Sequence, residues 1–173
     1  LQNNLALAIQ LNQKLLELKP KDVETMTTLS GLHGKAGHFE QQLVWARLAL
    51  KHQPEHFPAL INQGNALANT GKPQAAQESY RKAQRMNPSS PIPAYSMGVL
   101  AQESDLPSIA LLHFQDALTI NPNFEDALFN LAVSYANLKL YPEAVKTLDR
   151  LPKQHPGAID ARHMRTDIQE RFI

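Results

Sequence analysis

Four side chains that can form hydrogen bonds, Thr28, Asn62, Ser96 and Asn130, stand 34 residues apart along this chain of 173 residues. Asn65, Asn69 and Asn137 lie close to them in sequence. An Asn amide offers two donors and one acceptor, so it can pair with both the N–H and the C=O of an extended peptide without reading its side chains. One residue before each polar position come Thr27, Ile61, Tyr95 and Phe129, a column that grows more aromatic toward the C-terminal half. Aromatic side chains carry much of the energy at interfaces, so Tyr95 and Phe129 are the natural anchors.

Catalytic chemistry finds less support. There is no Cys, which excludes disulfides, thiolate catalysis and cysteine-ligated zinc. Of the seven His, His52 and His56 have the i,i+4 spacing of a metal pair. Pro54 lies between them, so they do not share a helix face and read as solvated turn residues. Glu103 and Asp105 are near each other, but two carboxylates work as acid and base only across a cleft. No glycine-rich phosphate loop or nucleophile elbow occurs. No catalytic residue, metal or cofactor is expected.

The elements that position these residues follow from the prolines. Pro20, Pro54, Pro88, Pro122 and Pro156 are spaced by 34 without a slip, so one supersecondary unit is used four times. Six, nine, ten and thirteen residues after Pro122 come Leu128, Leu131, Ala132 and Tyr135, one stripe of a helix with 3.6 residues per turn. Ala144 and Leu148 form the stripe of a second helix. The breaks between helices fall at Lys35–His38, Thr70–Pro73, Ser104–Pro107 and Lys139–Pro142. Pro73 and Pro107 suit a first helical position, where a missing N–H costs nothing. A small residue recurs ten after each proline, at Ser30, Gly64, Gly98 and Ala132, where it lets paired helices approach closely. His33 takes a stripe position and reads as a packed interior imidazole.

The segment Leu128-x2-Leu131-Ala132-x2-Tyr135, then Ala144-x3-Leu148 and Pro156, resembles the tetratricopeptide repeat. The departures are Gln42, where Ala is usual, and Gln63, where Leu is usual. The resemblance implies an all-α, right-handed solenoid of antiparallel helix pairs. Four full repeats are expected at 21–54, 55–88, 89–122 and 123–156. Residues 1–20 read as the second helix of a truncated repeat. Residues 157–173, with the stripe Ala161, Met164, Ile168 and Phe172, read as a capping helix or partial fifth repeat.

In arrays of this family the first helix of each pair lines the concave face. The resemblance therefore implies a groove formed by Thr28, Ile61, Asn62, Asn65, Asn69, Tyr95, Ser96, Val99, Phe129, Asn130, Val133 and Asn137, binding a protein or peptide partner. Two alternatives stand beside it: Asn is common at these positions for structural reasons, and Tyr95 and Phe129 pack against the neighbouring helix. Co-chaperone arrays grip an acidic C-terminus with Lys and Arg on first helices; here those positions offer only Lys35. The likeness to the asparagine column of O-linked N-acetylglucosamine transferases is weak, because only alternate repeats carry the residue.

Composition bounds the rest. Hydrophobic residues at 43% and charged residues at 19% are ordinary for a soluble chain. Lys and Arg number 17 against 16 Asp and Glu, in no long block of one sign, so a polyphosphate backbone finds no basic face and no nucleic-acid role is expected. No apolar run has the length of a membrane span. Nothing chooses between cytoplasm and periplasm. The chain opens at Leu1, and the expectation is a piece of a longer polypeptide or a processed product. The function expected is a non-catalytic interaction scaffold. The alternatives are a module that self-associates through its end helices into a homo-oligomer, and the repeat region of a larger glycosyl- or sulfotransferase.

Overall fold

The computed structural model describes residues 2–152, 163–168 and 170. Pro156, His155, Ala161 and Phe172 lie outside the described residues, as does most of the segment read as a capping helix. Among the described residues there is no strand. The chain divides into two compact units, Leu1–Asn87 and Pro88–Ile173.

The first unit holds α1 (Gln2–Leu18), α2 (Val23–Lys35), α3 (Phe39–His52), α4 (Phe57–Asn69) and α5 (Pro73–Met86). Leu16, Met26, Leu29, Ala49 and Ala59 form a core, with Ile9, Trp45 and Leu48 packed on its margin. The second unit holds α6 (Ile92–Glu103), α7 (Pro107–Ile120), α8 (Glu125–Asn137) and α9 (Tyr141–Leu148), and residues 163–168 are also helical. Its core gathers Ala94, Ala110, Phe114, Ala117, Leu128 and Leu131. Met164 packs beside the smaller cluster of Ala132 and Leu148, and Arg165 pairs with Asp149 at 2.9 Å.

Local rules set the helix ends. Asp22 caps α2: its Oδ2 accepts from the Thr25 N–H at 2.9 Å and from the Thr25 hydroxyl. Those two bonds hold its carboxyl below the usual carboxylate range. Pro73 and Pro107 open α5 and α7 as the spacing predicts. Within each helix pair the turn needs one residue in the left-handed region, always seventeen after the marker proline. That residue is Gly37 (φ 73°), Gly71 (φ 71°), Asp105 (φ 56°) and Lys139 (φ 60°). Glycine takes this conformation freely, whereas Asp and Lys hold it at a cost of roughly 1 kcal/mol.

The helix pairs close by matching volumes. A Cβ added to Gly64 would lie 2.3 Å from the Tyr80 ring, and one added to Gly98 would lie 2.5 Å from Phe114. Ser30 and Ala46 hold the same two positions in the first repeat, and Ala132 and Leu148 in the fourth. A glycine thus faces an aromatic ring, and a larger residue faces a smaller side chain.

Candidate functional site: the face of the first helices

In the first unit, Thr28 lies on α2 and Ile61, Asn62, Asn65 and Asn69 lie on α4. Thr28 and Asn69 are exposed, while Ile61, Asn62 and Asn65 are half-buried. The Asn62 amide donates to the Thr27 carbonyl of the preceding repeat at 3.1 Å. The Tyr80 hydroxyl donates to Asn65 Oδ1 at 2.8 Å, and Asn69 Nδ2 donates to the Asn65 carbonyl at 2.9 Å. Thr27, read as part of the apolar column, is buried, and its hydroxyl donates to the Val23 carbonyl at 2.8 Å. It therefore contributes a structural acceptor rather than groove surface.

In the second unit, Tyr95, Ser96 and Val99 lie on α6, and Phe129, Asn130, Val133 and Asn137 on α8. Asn137 is exposed and the rest are half-buried. The Tyr95 ring sits 5.8 Å from Phe114 and 5.0 Å from Phe124, centroid to centroid. Asn130 Nδ2 donates to the Tyr95 hydroxyl at 3.1 Å and to the Asp126 carbonyl at 3.0 Å. Burial, with Asp126 adding to it, pushes the Tyr95 phenol up, and the bond from Asn130 opposes that shift. Phe129 packs beside Ala132 and Leu148, and Val99 packs against the core.

A common device emerges from the two units. The Asn eight residues after the marker proline reaches back to the residue seven after the previous one: Asn62 to Thr27, Asn130 to Tyr95. One donor of each amide holds two repeats in register. The Oδ1 of each accepts no bond among the described residues.

His56 departs from the sequence reading. It is buried rather than solvated, and it caps α4 by accepting from the Ala59 N–H at 3.3 Å. Its Nε2 lies 3.1 Å from Glu24 and its Nδ1 3.4 Å from the Thr27 hydroxyl, so it ties two repeats together. A Ser, Asp or Asn at that position would have signalled a cap; imidazole serves the same purpose without the usual signature. His52 is exposed at the end of α3. No group of three or more His, Asp or Glu able to hold a metal occurs among the described residues. No helix there is long and apolar enough to cross a membrane.

Residues 107–168 match one tetratricopeptide repeat model, and residues 57–90 match another. The chain belongs to the tetratricopeptide repeat family. Over 106 residues it is 34% identical to Protein O-mannosyl-transferase TMTC3 of Homo sapiens, a match covering 59% of this chain and 12% of that protein. The chain therefore spans only a small part of the curated relative it matches. Its fold is similar to a thermophilic TPR protein of Thermus thermophilus (TM-score 0.78, 18% identity, 98% of each chain). It is also similar to MamA (TM-score 0.72, 19% identity, 96% of this chain and 93% of that one). A third likeness is YrrB, described as a TPR protein with an unusual peptide-binding site (TM-score 0.66, 22% identity, 93% and 85%). At these identities the likenesses speak for the fold, an all-α repeat solenoid. A tetratricopeptide array of this kind is a protein-interaction scaffold.

The first tetratricopeptide repeat carries an anomaly. His33 is buried, neither ring nitrogen has a hydrogen-bond partner, and the ring lies 5.8 Å from that of His38. Nearby, Gln42 is buried with its Oε1 unpartnered, and its amide fills the space beside Gly34. Burial first, then His38, lowers the His33 pKa below 6.5. A base whose pKa is depressed by folding binds more protons when unfolded. Stability is therefore complete well above pH 6.5 and falls as pH drops through that value toward the folded pKa. Urea denaturation should show a lower midpoint at pH 5.5 than at pH 7.5, and His33→Leu should remove part of that difference.

Proposed function

We propose that the face of the first helices binds an extended or short helical peptide. The observation that carries this reading is that polar amides and apolar side chains remain accessible side by side on that face. In the first unit these are Asn69, Asn62 and Ile61; in the second they are Asn137, Asn130 and Val133. The bonds these amides make use both donors of Asn130 but one donor of Asn62 and one of Asn69, so donors and acceptors both remain for the C=O and N–H groups of a peptide backbone. Tyr95 is held by packing on two aromatic rings, so it acts as a fixed wall more than as an adaptable anchor. The peptide-binding site named for YrrB supports a peptide as the ligand class. Affinity capture compares the chain with its Ile61→Asp, Val133→Asp variant. Specific partners should drop at least tenfold, and undiminished capture at unchanged helicity would sink the reading.

Two further readings have an observation each. On α1, Leu7, Leu11, Leu15 and Leu18 are exposed by 54%, 57%, 39% and 81%. Of the counterparts of Leu15 in the four repeats, Ala49, Ala83 and Ala117 are fully buried and Leu151 is half-buried. That bare stripe favours self-association through an end helix, which sedimentation over a concentration series would test. The partial match to an O-mannosyl-transferase favours the repeat region of a larger enzyme, with catalysis residing elsewhere in that protein. The full reading frame would decide it.

A further inference from the structure

The two units share a feature on the opposite side from the first-helix residues. In the first unit a groove of about 420 Å³ runs between the second helices α3 and α5, with α4 as its floor. In the second unit a groove of about 410 Å³ runs between α7 and α9 over α8. Most lining positions coincide at a distance of two repeats. Arg47 corresponds to Gln115, Leu50 to Leu118, and Lys82 to Arg150. These are one architectural site used twice.

The walls carry the same charge types, although only Lys82 and Arg150 keep the charge at a matching position: Glu78 corresponds to Lys146 and Ala75 to Glu143. Leu60 and Leu67 give the first groove an apolar floor beside Leu50, with Arg47 on the α3 wall and Glu78 and Lys82 together on the α5 wall. Leu131 floors the second beside Leu118, with Glu143, Lys146 and Arg150 along its α9 side and uncharged Gln115 on its α7 wall. Each groove thus carries two cations and one carboxylate around leucines. No ion pair engages Arg47, Lys82 or Lys146 among the described residues, and Arg150 uses Nη2 to donate to the Pro122 carbonyl at 2.8 Å. The first-helix positions, in contrast, offer only Lys35 as a cation. The cations that could grip carboxylates therefore lie on the second-helix side.

We propose that these paired grooves bind acidic peptide segments, each seating one aliphatic side chain on the leucine floor while neighbouring carboxylates face the cations of the groove walls. Charge complementarity selects this occupant over a basic one, and volumes near 400 Å³ suit a few residues rather than a whole helix. The reading does not rest on the first-helix face. Partly exposed charges in water attract modestly, so binding should be weak and salt-sensitive.

The test uses fluorescence anisotropy with two labelled eight-residue probes, one alternating Glu and Leu, the other alternating Lys and Leu. The acidic probe should bind at two sites per chain and be released by 0.5 M salt. Arg47→Glu with Lys82→Glu should halve the stoichiometry, and adding Lys146→Glu should weaken the remaining binding at least tenfold. Glu78→Gln, which removes a competing anion without adding charge, should tighten binding about twofold and covers the case in which the charge reversals disturb folding. Equal binding of the lysine probe would overturn the proposal, as would unchanged affinity in the triple variant or in Glu78→Gln. Loss of the acidic probe on Ile61→Asp with Val133→Asp would place it on the first-helix face and equally overturn it.

Discussion

Alanine at Gly64 is expected to lower stability by about 2–3 kcal/mol, the scale of overpacking in a well-filled core. Two effects compete. In an exposed helix interior, Gly→Ala stabilises by up to about 1 kcal/mol. Here the new methyl would stand 2.3 Å from Tyr80 Cε1, far inside contact distance. The ring is tethered by its hydroxyl to Asn65, so a retreat also strains a bond of 2.8 Å. Overpacking wins. Urea denaturation should show the shift, together with a thermal midpoint lower by roughly 5–10 °C. Gly98→Ala should behave alike against Phe114, whose ring would lie 2.5 Å away. The fourth repeat shows how to escape the penalty, since Ala132 there faces Leu148. Gly98→Ala combined with Phe114→Leu should therefore cost less than the two single changes added together, a coupling expected of residues in contact.

Phe114→Ala is expected to cost about 3–5 kcal/mol, the range for deleting a fully buried aromatic side chain. Phe114 has no exposed surface, and it is one of the walls against which Tyr95 rests. Loss of the ring opens a cavity that α6 and α7 cannot close without disturbing that contact. A second readout follows from the titration of Tyr95. Burial is the main cause of its raised pKa, so hydration of the cavity should bring that phenol back toward 10. Ultraviolet difference titration against the parent chain, at equal fraction folded, would show it. A Phe114→Leu variant, which keeps most of the volume, should lose far less.

The fold was largely legible because each repeat restates the same packing problem. Stripe residues six, nine, ten and thirteen after a proline announce a helix face, and Met26, Leu29, Leu60, Ala94, Met97 and Leu128 are buried as that spacing requires. Asp105 and Lys139 hid the left-handed turn residue, because neither has the backbone freedom that marks Gly37 and Gly71. His56 hid its capping role behind an unusual side chain and its spacing from His52. At the candidate site, the positions of the Asn residues could be read, but not their bonds. Whether an amide faces solvent or an adjoining repeat depends on where Thr27 O and Tyr95 Oη arrive in space, and no local pattern encodes that. The second-helix grooves were missed for a related reason. Their lining residues come from two repeats, so no single 34-residue unit displays them.

The two inter-repeat amide bonds differ in how sequence drift can reach them. Asn62 ends on the main-chain oxygen of Thr27, which every amino acid supplies. Substitution of the acceptor residue leaves that oxygen in the chain. Asn130 ends on the phenolic oxygen of Tyr95, and a change to Phe deletes the acceptor while leaving the ring in place. One junction is thus insulated from mutation on its acceptor side, whereas the other can be loosened or restored by a single hydroxyl. If selection ever retuned the stiffness of this array, the junction between α6 and α8 is where one substitution would suffice.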